Sequence, residues 1–164
     1  MMAADIAPGL NRSFLAEQWT HLVPKKCWMD AAEDARYRIR NDIETDIQGF
    51  DIDGDVIKSA RENAKLAGVE KRCRFEVADV ADFIARPEAI VLTNPPYGER
   101  MSTIEGAAQL ARTLGRQMQE HPCAGLYAIT ADMDFEAHYG KRAAKRRKMY
   151  NGMIPCQLYM YFKQ

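Results

Sequence analysis

The sequence predicts an α/β domain built on a doubly wound sheet that ends in an antiparallel hairpin. Short apolar runs typical of buried strands alternate along the chain with segments of helical periodicity. Asp or Asn stands at the end of three of these runs, as Asp51, Asp79 and Asn94. Near the C-terminus, Asn151-Gly152 separates two strand-like runs and favours a tight hairpin turn. The expected architecture is a Rossmann-like sheet whose last strand runs antiparallel.

The first half of the chain is predicted to contain two helices and two strands. A helix follows Pro24, because apolar residues recur at helical spacing, namely Trp28, Ala31, Ala32, Ala35 and Ile39. Residues 47–52 form a short apolar strand. Asp53 caps the next helix, which spans residues 56–66. Residues 74–80 alternate as a second strand.

The second half continues the same alternation. Residues 89–93 are predicted as a strand, and the helix that follows is marked by Ile104, Ala107, Ala111, Leu114 and Met118. Residues 126–130 form another strand, and residues 154–162 the closing one. No internal repeat or linker interrupts the sequence, so residues 1–164 are expected to be a single domain.

Composition is that of a compact cytoplasmic domain. The 164 residues are 47% hydrophobic and 28% charged, with zero net charge, and no apolar run approaches the length that spans a bilayer. The four cysteines lie far apart, with no Cys-x-x-Cys pair, and the three histidines do not cluster with them. Reduced thiols and no metal site are expected.

The residues with the clearest chemical meaning are Asn94, Pro95, Pro96 and Tyr97, here called the NPPY tip, directly after an apolar strand. An exocyclic nucleobase amine is a poor nucleophile until acceptors hold its hydrogens. The Asn94 side chain and the Pro95 carbonyl are such acceptors, and two prolines remove competing backbone donors. Tyr97 can stack on a flipped base. The alternative is an ordinary proline-rich turn.

Four stretches together resemble the bacterial THUMP-containing RNA methylases, which make N2-methylguanosine in 23S ribosomal RNA. The stretches are Gly9-Leu10-Asn11-Arg12-Ser13-Phe14, Gly49-Phe50-Asp51-Ile52-Asp53, Asn94-Pro95-Pro96-Tyr97-Gly98-Glu99-Arg100 and Lys148-Met149-Tyr150-Asn151-Gly152. The resemblance implies a class I methyltransferase fold, S-adenosylmethionine as cofactor and guanine N2 of 23S rRNA as the methylated position.

The resemblance also assigns roles at the strand ends. Asp51 would accept hydrogen bonds from both ribose hydroxyls of the cofactor, Ile52 would lie beside its adenine ring, and Asp79 would accept from the adenine amino group. Asn94 would adjoin the cofactor as well as the base. The alternative is that the acids only cap helices or loops, a role that suits Asp53 better than Asp51.

A basic run near the C-terminus is a candidate RNA contact. Six of residues 141–148 are Lys or Arg, among them Arg146 and Arg147, and no acid interrupts them. Arg100, next to the NPPY tip, could hold an RNA phosphate. The alternatives are a solvated edge strand that its charges protect from aggregation, and an arginine paired with a neighbouring acid.

One family feature is absent from the sequence. Members carry a strand and a glycine-rich loop before the stretch equivalent to residues 1–4, and only Gly9 and Gly49 precede Asp51 here. The strand would lie at the centre of the sheet, between the strands ending at Asp51 and Asn94. A fragment, a late gene start or a second chain that fills the gap would each explain this. The chain is expected to bind S-adenosylmethionine poorly.

Two other functions remain open. An adenine or cytosine amino-methyltransferase acting on DNA would use the same NPPY tip. A non-catalytic remnant that binds RNA or a partner subunit would fit the absent loop.

Overall fold

The computed structural model describes residues 1–96 and 104–162, which form two compact units, Met1–Val77 and Ala78–Gln164. Each unit is considered by itself. The expectation of a single domain over residues 1–164 stays a prediction.

The first unit contains two helices, a two-stranded parallel sheet and two short 3-10 segments. Strands β1 and β2 pair in register from Ile47 opposite Cys73 to Asp51 opposite Val77. Arg61 holds the second helix to the sheet, because its guanidinium donates to the Phe75 carbonyl at 2.6 and 3.0 Å. The elements are α1 (Lys25–Tyr37), β1 (Ile47–Asp51), α2 (Gly54–Leu66) and β2 (Cys73–Val77).

In its described residues, 78–96 and 104–162, the second unit contains a four-stranded mixed sheet and two α-helices. The strand order is β3-β4-β6-β5, with β3 parallel to β4 and the other neighbours antiparallel. The elements are β3 (Ile90–Thr93), α3 (Ile104–Glu120), β4 (Gly125–Thr130), α4 (Phe135–Tyr139), β5 (Lys145–Asn151) and β6 (Ile154–Phe162).

The core of the second unit is rich in aromatic rings. Phe135 and Tyr139 of α4 pack on β6, with ring centroids 5.1 Å apart for Phe135–Tyr159 and 4.4 Å for Tyr139–Tyr161. Burial raises the pKa of Tyr139 and of Tyr161, so both hydroxyls stay neutral. Further core residues are Ala85, Ala111, Leu114, Met118, Cys123, Leu126 and Ala128.

The predicted hairpin is confirmed. Asn151 pairs with Ile154, which leaves Gly152 and Met153 as the two loop residues. Gly152 has φ +61°, a value that L side chains rarely adopt. The turn therefore depends on this glycine.

Several predicted boundaries shift by a few residues, and one helix was not predicted. β2 ends at Val77 rather than at residue 80, because Asp79 caps a 3-10 turn, Val80–Asp82. Helix α4 was missed. Of the four cysteines, which are all free, Cys123 and Cys156 are buried, whereas Cys27 is exposed.

Two strands have an open side in the described part of the chain. There, β1 pairs only with β2, and β3 pairs only with β4. Ile90 and Leu92 of β3 are 65% and 75% exposed, respectively. Across the described residues, none of the helices is both long and apolar enough to cross a membrane.

Candidate active site

The NPPY tip begins where β3 ends. Asn94 directly follows the strand and is exposed, Pro95 is buried, and Pro96 is exposed again. Because β3 and β4 are parallel, the tip lies at the carboxyl edge of this sheet, where ligands of doubly wound folds bind. Tyr97 lies outside the described residues, and so does Arg100.

In the described part of the tip, the two prolines offer carbonyl acceptors and no backbone donor, and Asn94 offers both an amide oxygen and an amide NH₂. Pro95 and Pro96 have no backbone N–H, and their φ angles are fixed near −65°. The exposed Asn94 side chain adds an amide oxygen. A group that offers two N–H hydrogens, such as a nucleobase amine, matches this set of acceptors.

Asp51 is the last residue of β1 and is partly buried. Its Oδ1 accepts the Asp53 N–H at 2.9 Å, so it takes part in a local turn. Asp53 caps α2, as predicted, because its Oδ1 accepts the Asp55 N–H at 2.8 Å. A carboxylate accepts several hydrogen bonds, so the turn leaves Asp51 capacity for ribose hydroxyls. The neighbouring Ile52 is exposed.

Asp79 also takes part in a turn. It lies two residues beyond β2, and its Oδ1 accepts the Ala81 N–H at 2.8 Å. This is the loop-capping role that the sequence left open. The remaining carboxylate capacity is compatible with a contact to a cofactor amino group. Asp51 and Ile52 belong to the first unit, whereas Asp79 and Asn94 belong to the second.

Residues 145–148 of the basic run belong to the edge strand β5, and their charges divide between the two sheet faces. Arg146 lies opposite Tyr159, and Arg147 lies opposite Leu158, so successive side chains point to opposite sides. Arg146 Nη1 contacts Glu136 Oε2 at 3.4 Å. The structure does not bring Arg146 and Arg147 together on one face, and both the RNA-binding and the edge-protection interpretations stay open.

Sequence reasoning missed one polar cluster after β4. His138 Nδ1 lies 2.8 Å from Asp132 Oδ2, although no sequence pattern pairs these two residues. Because the contact depends on how the turn after β4 folds, sequence spacing alone could not have found it. Among the described residues, no three His, Cys, Asp or Glu side chains are grouped so that they could hold a metal ion.

Comparison with known proteins adds independent evidence. Residues 1–160 match the UPF0020 family model, described as the RMKL-like methyltransferase domain. The ribosomal RNA large subunit methyltransferase K/L of Syntrophotalea carbinolica is 34% identical over 166 residues, which cover 96% of this chain and 23% of that protein.

Solved structures match over the full length of the chain. SMU.472 complexed with SAH has 33% identity and a TM-score of 0.91, covering 100% of this chain and 44% of that one. A "predicted N6-adenine-specific DNA methylase" from Listeria monocytogenes has 37% identity and a TM-score of 0.88, covering 99% and 42%. The chain thus spans less than half of the length of these proteins.

Proposed function

Because this chain belongs to the family of RMKL-like methyltransferase domains and has the class I methyltransferase fold, we propose that it carries the catalytic tip of an RNA methyltransferase. The proposed reaction transfers a methyl group from S-adenosylmethionine to the exocyclic amine of a nucleobase. The observation that carries this proposal is the tip at the carboxyl edge of the sheet, where the exposed Asn94 is followed by two prolines that have no backbone N–H.

The tip acts on the amine before the methyl group is transferred. The Asn94 side-chain oxygen and the Pro95 carbonyl accept its two hydrogens, which orients the nitrogen lone pair out of conjugation with the ring. The cofactor supplies an electrophilic methyl group. The nitrogen forms the new N–C bond, the sulfur keeps the electron pair of the broken C–S bond, and the proton then leaves to water. No strong base is required, and Tyr97 is proposed to stack on the flipped base.

Each of the two strand-end acids is proposed to bind the nucleoside part of S-adenosylmethionine. The Asp51 carboxylate can accept from the ribose hydroxyls, and Asp79 from the adenine amino group, each with its remaining acceptor capacity. The exposed side chain of Ile52 is proposed to cover the adenine ring. These contacts would hold only the nucleoside part of the cofactor. Binding of its methionine part requires further groups.

We infer that a further strand completes the structure and supplies those groups. β1 and β3 each have an open side in the described residues, and an unpaired edge is a site for strand addition. Exposed apolar side chains on β3 add apolar surface to bury. The strand, with its glycine-rich turn, would come from elsewhere in the same protein or from a second chain.

This inference gives a direct prediction for cofactor binding. Isothermal titration of residues 1–164 with S-adenosylmethionine should show no micromolar binding, because the strand and turn inferred to hold the methionine end are supplied from outside these residues. The SMU.472 protein, whose structure contains SAH, is the positive control in the same buffer. Micromolar affinity of the monomeric chain would refute the inference.

Guanine N2 in 23S rRNA is the proposed target in the cytoplasm. The name of the K/L relative supports ribosomal RNA, and Arg100, Arg146 and Arg147 are proposed to contact its phosphates. The name of the Listeria protein favours a second candidate, adenine methylation of DNA.

Deleting the gene distinguishes the two substrates. Nucleosides from 23S rRNA and from genomic DNA are analysed by mass spectrometry in deleted and complemented cells. We expect one N2-methylguanosine to disappear from the RNA, whereas methylated bases in DNA stay constant. Loss of a methylated adenine or cytosine from DNA, with unchanged rRNA, would establish the second candidate instead.

A further inference from the structure

The turn that follows β4, residues 131–134, lies at the same edge of the sheet as the NPPY tip. β3 and β4 run parallel, with Thr93 opposite Ala128. Neighbouring strands lie roughly 5 Å apart, so the tip and the β4 turn leave the sheet from neighbouring strands at the same edge. A base held at the tip would have this turn at its side.

Hydrogen bonds to Asp132 fix the conformation of the β4 turn. The two oxygens of its carboxylate are both in use: Oδ1 accepts the Asp134 N–H at 2.9 Å, and Oδ2 contacts His138 Nδ1 at 2.8 Å. The Asp132 N–H donates to Thr130 Oγ1 at 3.1 Å. The Asp132 carboxylate thus holds the turn in place through both of its oxygens.

The turn is also hydrogen-bonded to Tyr159 of the core. Tyr159 is 1% exposed, and its hydroxyl donates to the carbonyl of Asp132 at 3.2 Å and, over a longer 3.4 Å, to that of Met133. Burial, together with nearby Glu136, raises the pKa of Tyr159, so the hydroxyl keeps its proton and remains a donor. The turn is therefore held by the hydrogen bonds of Asp132 and by those from the Tyr159 hydroxyl.

Two side chains of the turn are exposed, those of Met133 and Asp134, and Met133 is the apolar one. Met133 is 58% exposed, whereas its backbone carbonyl points to the core. A methionine thioether makes favourable contacts with aromatic rings and adapts to their shape.

We propose that the β4 turn forms a wall of the base site and that Met133 contacts the face of the flipped base. Asp132 and His138 are positioning residues, which hold Met133 in place without touching the base. This inference rests on the proposed function and adds to it a determinant of base recognition.

Photo-crosslinking tests the contact in cells. Met133 is replaced by p-benzoylphenylalanine, the cells are irradiated, and the crosslinked nucleotide of 23S rRNA is mapped. We expect a crosslink at the nucleotide whose methylation depends on this gene. The control carries the same photoreactive residue at Met153, which is 97% exposed on the hairpin loop, and should give no crosslink there.

Two substitutions of Met133 distinguish a contact with the base from an effect on folding of the protein. Pulse labelling of newly made 23S rRNA measures how fast the methyl group appears. Met133→Ala removes both the sulfur and the volume of the side chain and should slow methylation about 2- to 10-fold, whereas Met133→Leu keeps the volume and should slow it less. A normal rate in Met133→Ala, with no crosslink at position 133, overturns the inference and leaves the proposed function intact. If no RNA methylation depends on the gene, the proposed function fails, and the proposed contact of Met133 with the base fails as well.

Discussion

Replacing Asn94 by Ala is expected to lower RNA methylation on the order of 10²–10³-fold, the usual cost of removing one preorganised polar group from an active site. The amide oxygen is one of the two acceptors proposed to hold the nucleobase amine. Without it, the nitrogen lone pair stays conjugated with the ring, and the methyl group finds a poor nucleophile. The measurement is the amount of N2-methylguanosine in 23S rRNA from cells that carry the variant.

Asn63→Ala is the matched control. Asn63 is an exposed asparagine of α2, where alanine is a better helix former, so methylation and stability should both be maintained. Asn94 is exposed as well, so Asn94→Ala should change the free energy of unfolding by less than about 0.5 kcal/mol. Unchanged methylation in cells that carry Asn94→Ala would mean that Asn94 has no catalytic role. The non-catalytic remnant would become the better interpretation if deleting the gene left methylation unchanged and Asn94→Ala restored another phenotype of the deletion.

Most strands and helices could be predicted because their patterns are local. The strand before Asn94 is a continuous apolar run, and the hairpin depends on one glycine, Gly152, in a left-handed conformation. Helix α4 was missed because five residues hold little more than one turn, too few to show a period. Its two buried rings, Phe135 and Tyr139, lie four residues apart, and Gly140 ends the helix with φ +82°. These were the signals that could have found it.

The candidate site could be predicted only in part, because hydrogen-bond partners depend on tertiary structure. The sequence indicated that Asp51 and Asp79 follow strands, but not that each accepts an N–H two residues ahead. The pairing of Asp132 with His138 likewise requires the turn after β4 to fold back on α4. The basic run illustrates the same limit, since Arg146 and Arg147 are adjacent in sequence yet lie on opposite faces of β5.

The second large effect, on the free energy of unfolding, is expected at Gly115, where helix α3 packs closely against α4. A Cβ atom at this position would lie 2.9 Å from the Tyr139 carbonyl carbon, and closer still to its oxygen. These are backbone atoms that end α4, so they cannot rotate away as a side chain would. In an open helix, replacing Gly by Ala would stabilise the protein by up to about 1 kcal/mol. At position 115 the clash with the Tyr139 backbone should outweigh this gain, so that alanine destabilises the protein.

Gly115→Ala is therefore expected to lower the free energy of unfolding by about 1–3 kcal/mol, the usual cost of overpacking. Urea unfolding followed by circular dichroism measures it. Gly54→Ala is the control, since its added Cβ would meet only Val77 Cγ2, at an ordinary 3.9 Å. This helical glycine should tolerate alanine without loss. Equal stability of the two variants would mean that α3 does not approach the Tyr139 carbonyl so closely. The packing of α4, which sets the base of the β4 turn and hence the position of Met133, would then need revision.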